Sequence, residues 1–216
     1  MKRLFRWLFY GVILLIVLAV AGILLMDTIV KAVVESRIRS ETGMDVKIGK
    51  FSVGLASPTV LIEDFKLYNT AEFGGSPFIQ MPELFLEYDR SQFKNRKLRI
   101  KLLRLNLSEI GIVTDKKGHS NIEALGALAS KQAQQKMDVE FKGIDTLNLT
   151  FQSVRMTQMG DPPQEELLDF KIKNAIFHNL NKEEDFQGLA MGLALKAQGS
   201  RMLQKLINPE VNTPAR

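Results

Sequence analysis

The chain contains no cysteine. That single absence excludes disulfides, thiolate metal sites, a cysteine nucleophile and a lipoprotein anchor together. It leaves the redox compartment open, because a cysteine-free chain folds in either. Histidine is nearly absent too. His119 sits in a turn and His178 at the end of an alternating run, and neither lies at metal-ligand spacing from another donor. Gly74-Gly75 is followed by Ser76-Pro77 rather than by Lys and Ser/Thr, so there is no phosphate loop. No G-x-S-x-G elbow occurs. Glu63 and Asp64 are strand neighbours that face opposite ways, and Glu183 to Asp185 stand where a helix N-terminus favours acids. These absences leave no catalytic, cofactor or metal site to name, and the chain reads as a non-enzyme.

Acidic residues are also missing from the first 26 positions. Lys2, Arg3 and Arg6 carry three of the five net positive charges. Residues 7–216 hold 26 basic side chains (29 minus 3) against 24 acidic, a net of only +2. A nucleic-acid binder shows a larger and more localised excess, so no nucleic-acid partner is expected. Trp7 to Met26 is uncharged throughout. As a helix this run is ~30 Å long, about one hydrocarbon core. With the three basic residues before it and Asp27 after it, the positive-inside rule puts the N-terminus in the cytoplasm and the body outside. Ala19 to Ala21 also resembles a cleavage site, which keeps a signal peptide open, but both readings export the body.

From Asp27 to about Glu41, Ile29, Val30, Val33, Val34 and Ile38 form a helical stripe ending at Gly43. This helix either caps the open end of a sheet or lies on the membrane surface. Beyond Gly43 the period changes from 3.6 to 2. Val46, Ile48, Phe51 and Val53 open the series, followed by Val60 and Ile62. The alternation slips at Glu63-Asp64, as at a β-bulge, and resumes at Phe65 and Leu67. Ile79 to Tyr88 makes a further strand, with Pro82 at its irregularity. Leu98, Ile100 and Leu102 alternate with Lys97, Arg99 and Lys101 before the phase changes at Leu103. Leu147, Leu149 and Phe151 alternate next, and Leu168, Phe170 and Ile172 begin a strand running to about His178. One apolar and one charged face describe an antiparallel sheet wet on one side.

Two capping patterns interrupt the strands. Ser120-Asn121-Ile122-Glu123 predicts a helix from about Asn121 to Gln135, and Asn181 to Glu184 predicts one from about Lys182 to Ile207. In the second, Phe186, Leu189, Leu193 and Ala197 share a side, although Leu189, Met191, Leu193 and Leu195 also alternate as a strand would. The expected fold is α+β and mainly β. It comprises a stub and transmembrane anchor at 1–26, a capping helix at 27–43, a curved antiparallel β-groove at 44–180, and an amphipathic helix with a loose tail at 181–216.

The order of these features resembles the N-terminal region of the AsmA-like family of envelope proteins, which includes the TamB-type and related bridge-like lipid-transfer proteins. The likeness rests on V-x-I-G-x-F-S at Val46 to Ser52, P-x-V-x-I-E-D-F-K-L-Y-N at Pro58 to Asn69, K-L-x-I-x-x-L-x-L at Lys97 to Leu105, and D-x-x-G-x-S-N-I-E-A-L at Asp115 to Leu125. It covers residues 30–125 well and 140–180 weakly. The resemblance implies a groove whose apolar lining shields acyl chains. Longer relatives stack many such repeats, whereas this chain has the length of one or two, and strands of ten residues make a sheet only ~33 Å across.

Several strands each carry three or four large apolar groups on one side. Each contributes ~1.5–3 kcal/mol on burial, so the face needs a cover. The candidate lining is Val60, Ile62, Leu98, Ile100, Leu102, Leu147, Leu149 and Phe151. Three covers are available: the chain's own closing helix, membrane lipid acyl chains, or another protein, including a second copy. Between Arg90 and Arg104 there are seven basic residues and no acid. Lys97, Arg99 and Lys101 are either the solvated face of a strand or contacts to anionic headgroups or an acidic partner. The expected location is the bacterial inner membrane, single-pass, with the body periplasmic.

Overall fold

The computed structural model describes residues 27–54, 57–123, 125–126 and 139–196. The expected anchor at Trp7–Met26 and the tail beyond Lys196 lie outside these residues. Among the described residues no helix is long and apolar enough to cross a membrane. Helix α1 (Asp27–Thr42) leads into β1 (Val46–Lys47), β2 (Lys50–Val53) and β3 (Thr59–Tyr68). After a 3-10 turn at Ala71–Phe73 come β4 (Pro77–Tyr88), the one-turn helix α2 (Arg90–Phe93) and β5 (Lys97–Thr114). Then follow β6 (Glu140–Gln158), β7 (Gln164–Leu180) and α3 (Glu183–Lys196). The seven strands form one curved, open sheet in the order β1-β3-β4-β5-β6-β7, with β2 also on β3.

The sheet is not wholly antiparallel as the alternation suggested. β5 and β6 run parallel, from Leu98 beside Phe141 to Thr114 beside Gln158. Parallel neighbours need a crossover of a dozen or more residues, and residues 115–139 supply it. Its start is ordered by the capping box read from sequence. The Ser120 amide donates to Glu123 Oε2 and the Glu123 amide to Ser120 Oγ, both at 3.2 Å. Residues 121–123 and 125–126 are helical, and the remainder of the helix expected to Gln135 lies outside the described residues.

The strands are also longer than the ten residues that alternation suggested. β5 has 18 residues and β6 has 19, a contour of about 60 Å each. They reach this length because one irregular line crosses the whole sheet and resets the alternation in every strand. In β3 the break is Asp64, with a positive φ of 53°, between buried Ile62 and buried Phe65. Opposite it on one side is Gly49, whose amide donates to both Glu63 O (3.0 Å) and Asp64 O (3.2 Å). A Cβ at Gly49 would lie 2.7 Å from the Asp64 Cβ, so only glycine fits there. On the other side is Pro82 of β4, which has no amide to give a ladder.

Farther along, two hydroxyls replace lost ladder bonds. Ser108 Oγ donates to Gln80 O (3.0 Å), and Ser153 Oγ donates to Ser108 O (3.2 Å). In β7 the line becomes two register shifts, with positive φ at Lys171 and Asn174. Bulges of this kind bend a strand and let its apolar set return to the same face. Thus Leu147, Leu149 and Phe151 give way to Val154 and Met156, all buried on one side.

α1 packs on β1 and β2, and α3 packs on β7. Val34 and Ile38 of α1 are buried, but Val33 of the expected stripe is 43% exposed. The helix meets only a short margin of sheet, so an i, i+4 contact line suffices. α3 is a helix, not the alternative strand. Phe186, Leu189 and Leu193 pack against the core while Met191 faces out. Its cap differs in one residue from the expected pattern. Asp185, not Glu184, accepts from the amides of Asn181 (2.8 Å) and Lys182 (2.9 Å).

Candidate functional site: the apolar face and its polar counterparts

Because strand register is fixed, the apolar residues align into rows across the sheet. One row runs Val53, Val60, Leu86, Leu103, Leu147, Phe177. The next runs Phe51, Ile62, Leu84, Leu105, Leu149, Ala175. No polar side chain interrupts either. Phe151 stacks on Phe170 with ring centroids 4.7 Å apart. Of the residues selected from sequence, Val60, Ile62, Leu98, Ile100, Leu147, Leu149 and Phe151 are all buried on this inner face.

Leu102 is the exception and must be reassigned. A register shift against β4, between Glu87 and Tyr88, adds a residue to β5. Leu102 therefore leaves the inner face and lies in line with Glu87, Thr146 and His178, while Leu103 takes the buried place. Leu84, Leu86, Leu103 and Leu105 form the centre of the rows and were missing from the sequence-derived lining. The phase change at Leu103 was the signal that could have found the latter two.

The outer face is polar by pairing rather than by simple exposure. Glu63 and Glu83 are cross-strand partners, an arrangement that is unfavourable alone. Each has its own cation: Lys50 Nζ is 2.8 Å from Glu63 and Arg104 Nη1 is 3.0 Å from Glu83. Arg104 also lies over the Phe85 ring at 5.1 Å. Arg155 grips Glu109 with two bonds of 3.3 and 2.9 Å. That bond, followed by the charge of Glu109, raises the Arg155 pKa above its ordinary value.

Within the basic run, Arg99 pairs with Asp145, while Lys97 and Lys101 are exposed. The seven cations are not one free patch, because Arg99 and Arg104 are engaged within the sheet.

A buried polar cluster joins two of the quoted motifs. Asn121 is fully buried. Its amide nitrogen donates to Asn69 Oδ1 (2.7 Å) and Gly111 O (2.8 Å), and its oxygen accepts from the Val113 amide (3.0 Å). Asn69 then donates to Ser76 Oγ at 3.2 Å. The loop after β3, the end of β5 and the start of the crossover are thereby fixed together. The two asparagines are 52 residues apart, and nothing in the local pattern announces their contact.

Neither histidine belongs to such a cluster. His119 Nδ1 lies 3.5 Å from Asp115 in an exposed turn, and His178 is exposed on the outer face. Among the described residues, no group of three or more His, Asp or Glu is placed to hold a metal ion. The inner face is thus a buried apolar layer, and the outer face carries the ion pairs. No family model, curated protein or solved structure matches the chain.

Proposed function

We propose that the protein is a non-catalytic, membrane-anchored component of the bacterial cell envelope, of the AsmA-like kind, whose inner face shields lipid acyl chains on the periplasmic side of the inner membrane. The observation that carries this reading is the unbroken pair of apolar rows across the sheet. Phospholipid chains are the ligand whose chemistry matches these rows, which carry no hydrogen-bonding side chain and whose present cover a chain would have to replace. Supporting it, the described helices pack on the two margins, α1 at β1–β2 and α3 at β7.

A second reading has its own observation. Phe186, Leu189 and Leu193 of α3 already pack against the core, so the chain supplies part of its own cover. A non-catalytic scaffold subunit, binding envelope proteins through the sheet, needs nothing more. A diazirine analogue of leucine at Leu149, with mass spectrometry of the full chain irradiated in membranes, separates the two. Acyl-chain adducts are expected. Adducts only to protein, in a folded sample, replace the first reading with the second. The assigned orientation predicts activity for an alkaline phosphatase fused after Arg216; a well-expressed, inactive fusion contradicts it.

A further inference from the structure

Three contacts of α1 fix which end of the sheet lies nearest the apolar run that precedes it. Lys31 Nζ donates to Gly49 O (3.4 Å), Glu35 accepts from the Ile48 amide (2.9 Å), and Arg39 pairs with Asp45 (2.7 Å). From Lys31 to Arg39 the helix rises ~12 Å, and from Gly49 back to Asp45 the strand line covers ~13 Å. α1 therefore runs alongside β1 and β2 in the opposite direction, so its first residue, Asp27, lies toward Val53. Val53 pairs with Val60 at the start of β3. The Tyr88 amide donates to Pro58 O (2.9 Å), the Asp89 amide to Arg99 O (2.8 Å) and the Glu140 amide to Arg96 O (2.8 Å). The sheet end beside the start of α1 thus holds the connection between β4 and β5, residues 89–97.

We infer that this connection is a docking surface for the anionic phospholipid headgroups of the membrane. The inference builds on the anchor proposed at Trp7–Met26. From Lys31 back to Asp27 the helix rises only ~6 Å, while from Gly49 to Val53 the strand advances ~13 Å. The sheet end passes the start of α1 by ~7 Å, and the headgroup layer on one side of a bilayer is ~5–8 Å deep. With the anchor in line with α1, residues 89–97 stand at headgroup level.

The charges agree with that placement. Residues 89–97 carry Arg90, Lys94, Arg96 and Lys97, all exposed, against Asp89 alone. Asp89 caps α2, accepting from the Ser91 (2.8 Å) and Gln92 (3.2 Å) amides, and neighbouring Glu140 holds Lys142. Glu183, Glu184 and Asp185 stand at the β7 corner of the same end, away from α1, so the basic corner leads. The three connections at the opposite end, 69–76, 115–119 and 159–163, hold the acids Glu72, Asp115 and Asp161 and the bases Lys116 and Lys117. An anionic lipid surface attracts clustered Lys and Arg within about a Debye length, and of the two ends only this one offers such a cluster.

The absence of native cysteine makes the test clean. The full chain is placed in nanodiscs of phosphatidylethanolamine and phosphatidylglycerol with a small fraction of nickel-chelating lipid. A nitroxide is attached at Asn95→Cys or, in a separate sample, at His119→Cys. The length of β5, 18 residues or ~60 Å of strand, separates the two positions. Relaxation enhancement by the headgroup nickel should be at least fivefold greater at position 95. Replacing phosphatidylglycerol with phosphatidylcholine should lower the signal there at least twofold, as should Lys94→Gln with Lys97→Gln in a chain whose circular dichroism is unchanged.

Equal enhancement at the two positions, in a chain retained by the discs, overturns the docking and leaves the anchor standing. A strong signal at position 95 that ignores both lipid charge and the two substitutions overturns recognition by charge. A chain that the discs do not retain removes the anchor and this contact with it.

Discussion

On the inner face, Val60, Leu86, Leu103 and Leu147 stand in one row with no polar atom among them. One residue along each strand, the outer row is Leu61, Phe85, Arg104 and Asn148. The inner row is uniform because every member is buried and a polar atom there has no partner. The outer row is mixed: Arg104 pairs with Glu83, whereas the Asn148 side-chain oxygen is left without a partner. Inner positions are therefore constrained in chemistry, and outer positions in pairing alone.

Breaking that contrast on the inner side should have the largest effect. Leu103→Asp places an unpaired carboxylate where Leu103 is 1% exposed, and a loss of more than about 4 kcal/mol is expected. Denaturant titration followed by circular dichroism checks it; a cooperative transition near the wild-type midpoint contradicts the burial.

Next is the polar group that the interior does accept. Asn121→Ala leaves the Val113 amide, the Gly111 carbonyl and Asn69 without their partner, at a cost of about 2–4 kcal/mol. A change under about 0.5 kcal/mol in the same titration means that the cluster is not a structural lock.

The third substitution runs the other way. The Asn148 side-chain oxygen on the outer face is buried without a hydrogen-bond partner. Asn148→Thr should stabilise the sheet by up to about 1 kcal/mol, since an unsatisfied group is removed and a better strand former introduced.

Smallest is the loss of an outer ion pair. Arg104→Ala should cost only ~0.2–1 kcal/mol, and a thermal shift of many degrees contradicts the idea that this face tolerates exchange. Acid should act most locally. The amides of Lys182 and Asn181 hold the Asp185 carboxyl below its ordinary value. Its support for α3 is therefore present above the unfolded carboxylate pKa and lost as pH falls through the lower folded value. Helicity of α3, read by amide exchange, should decline there first; unchanged protection contradicts the cap.

Much of this architecture is visible in the alternation. The slip at Glu63-Asp64, the irregularity at Pro82 and the phase change at Leu103 each mark a real bend, because burial leaves a period-2 signature that a bulge must interrupt. Leu102 was misplaced because the phase change at Leu103 marks a slip but not which residue is the extra one, and that depends on register against Glu87 and Tyr88. The parallel pairing of β5 and β6 was hidden for the same reason: alternation is identical in both directions. The bond between Asn69 and Asn121 joins residues too distant in sequence for either to signal the other.

The β5–β6 seam has a consequence for the order of assembly. β1 to β5 are joined by short connections and are free to zip as the chain is made. β6 has to wait until 25 intervening residues, 115–139, have followed, and non-local pairings of this kind form slowly. During that delay β5, the longest strand yet made, is a bare border. A chain stalled after residue 139 should hold a protease-resistant β1–β5 unit that recruits chaperones, and full resistance without them would show that the border is protected in some other way.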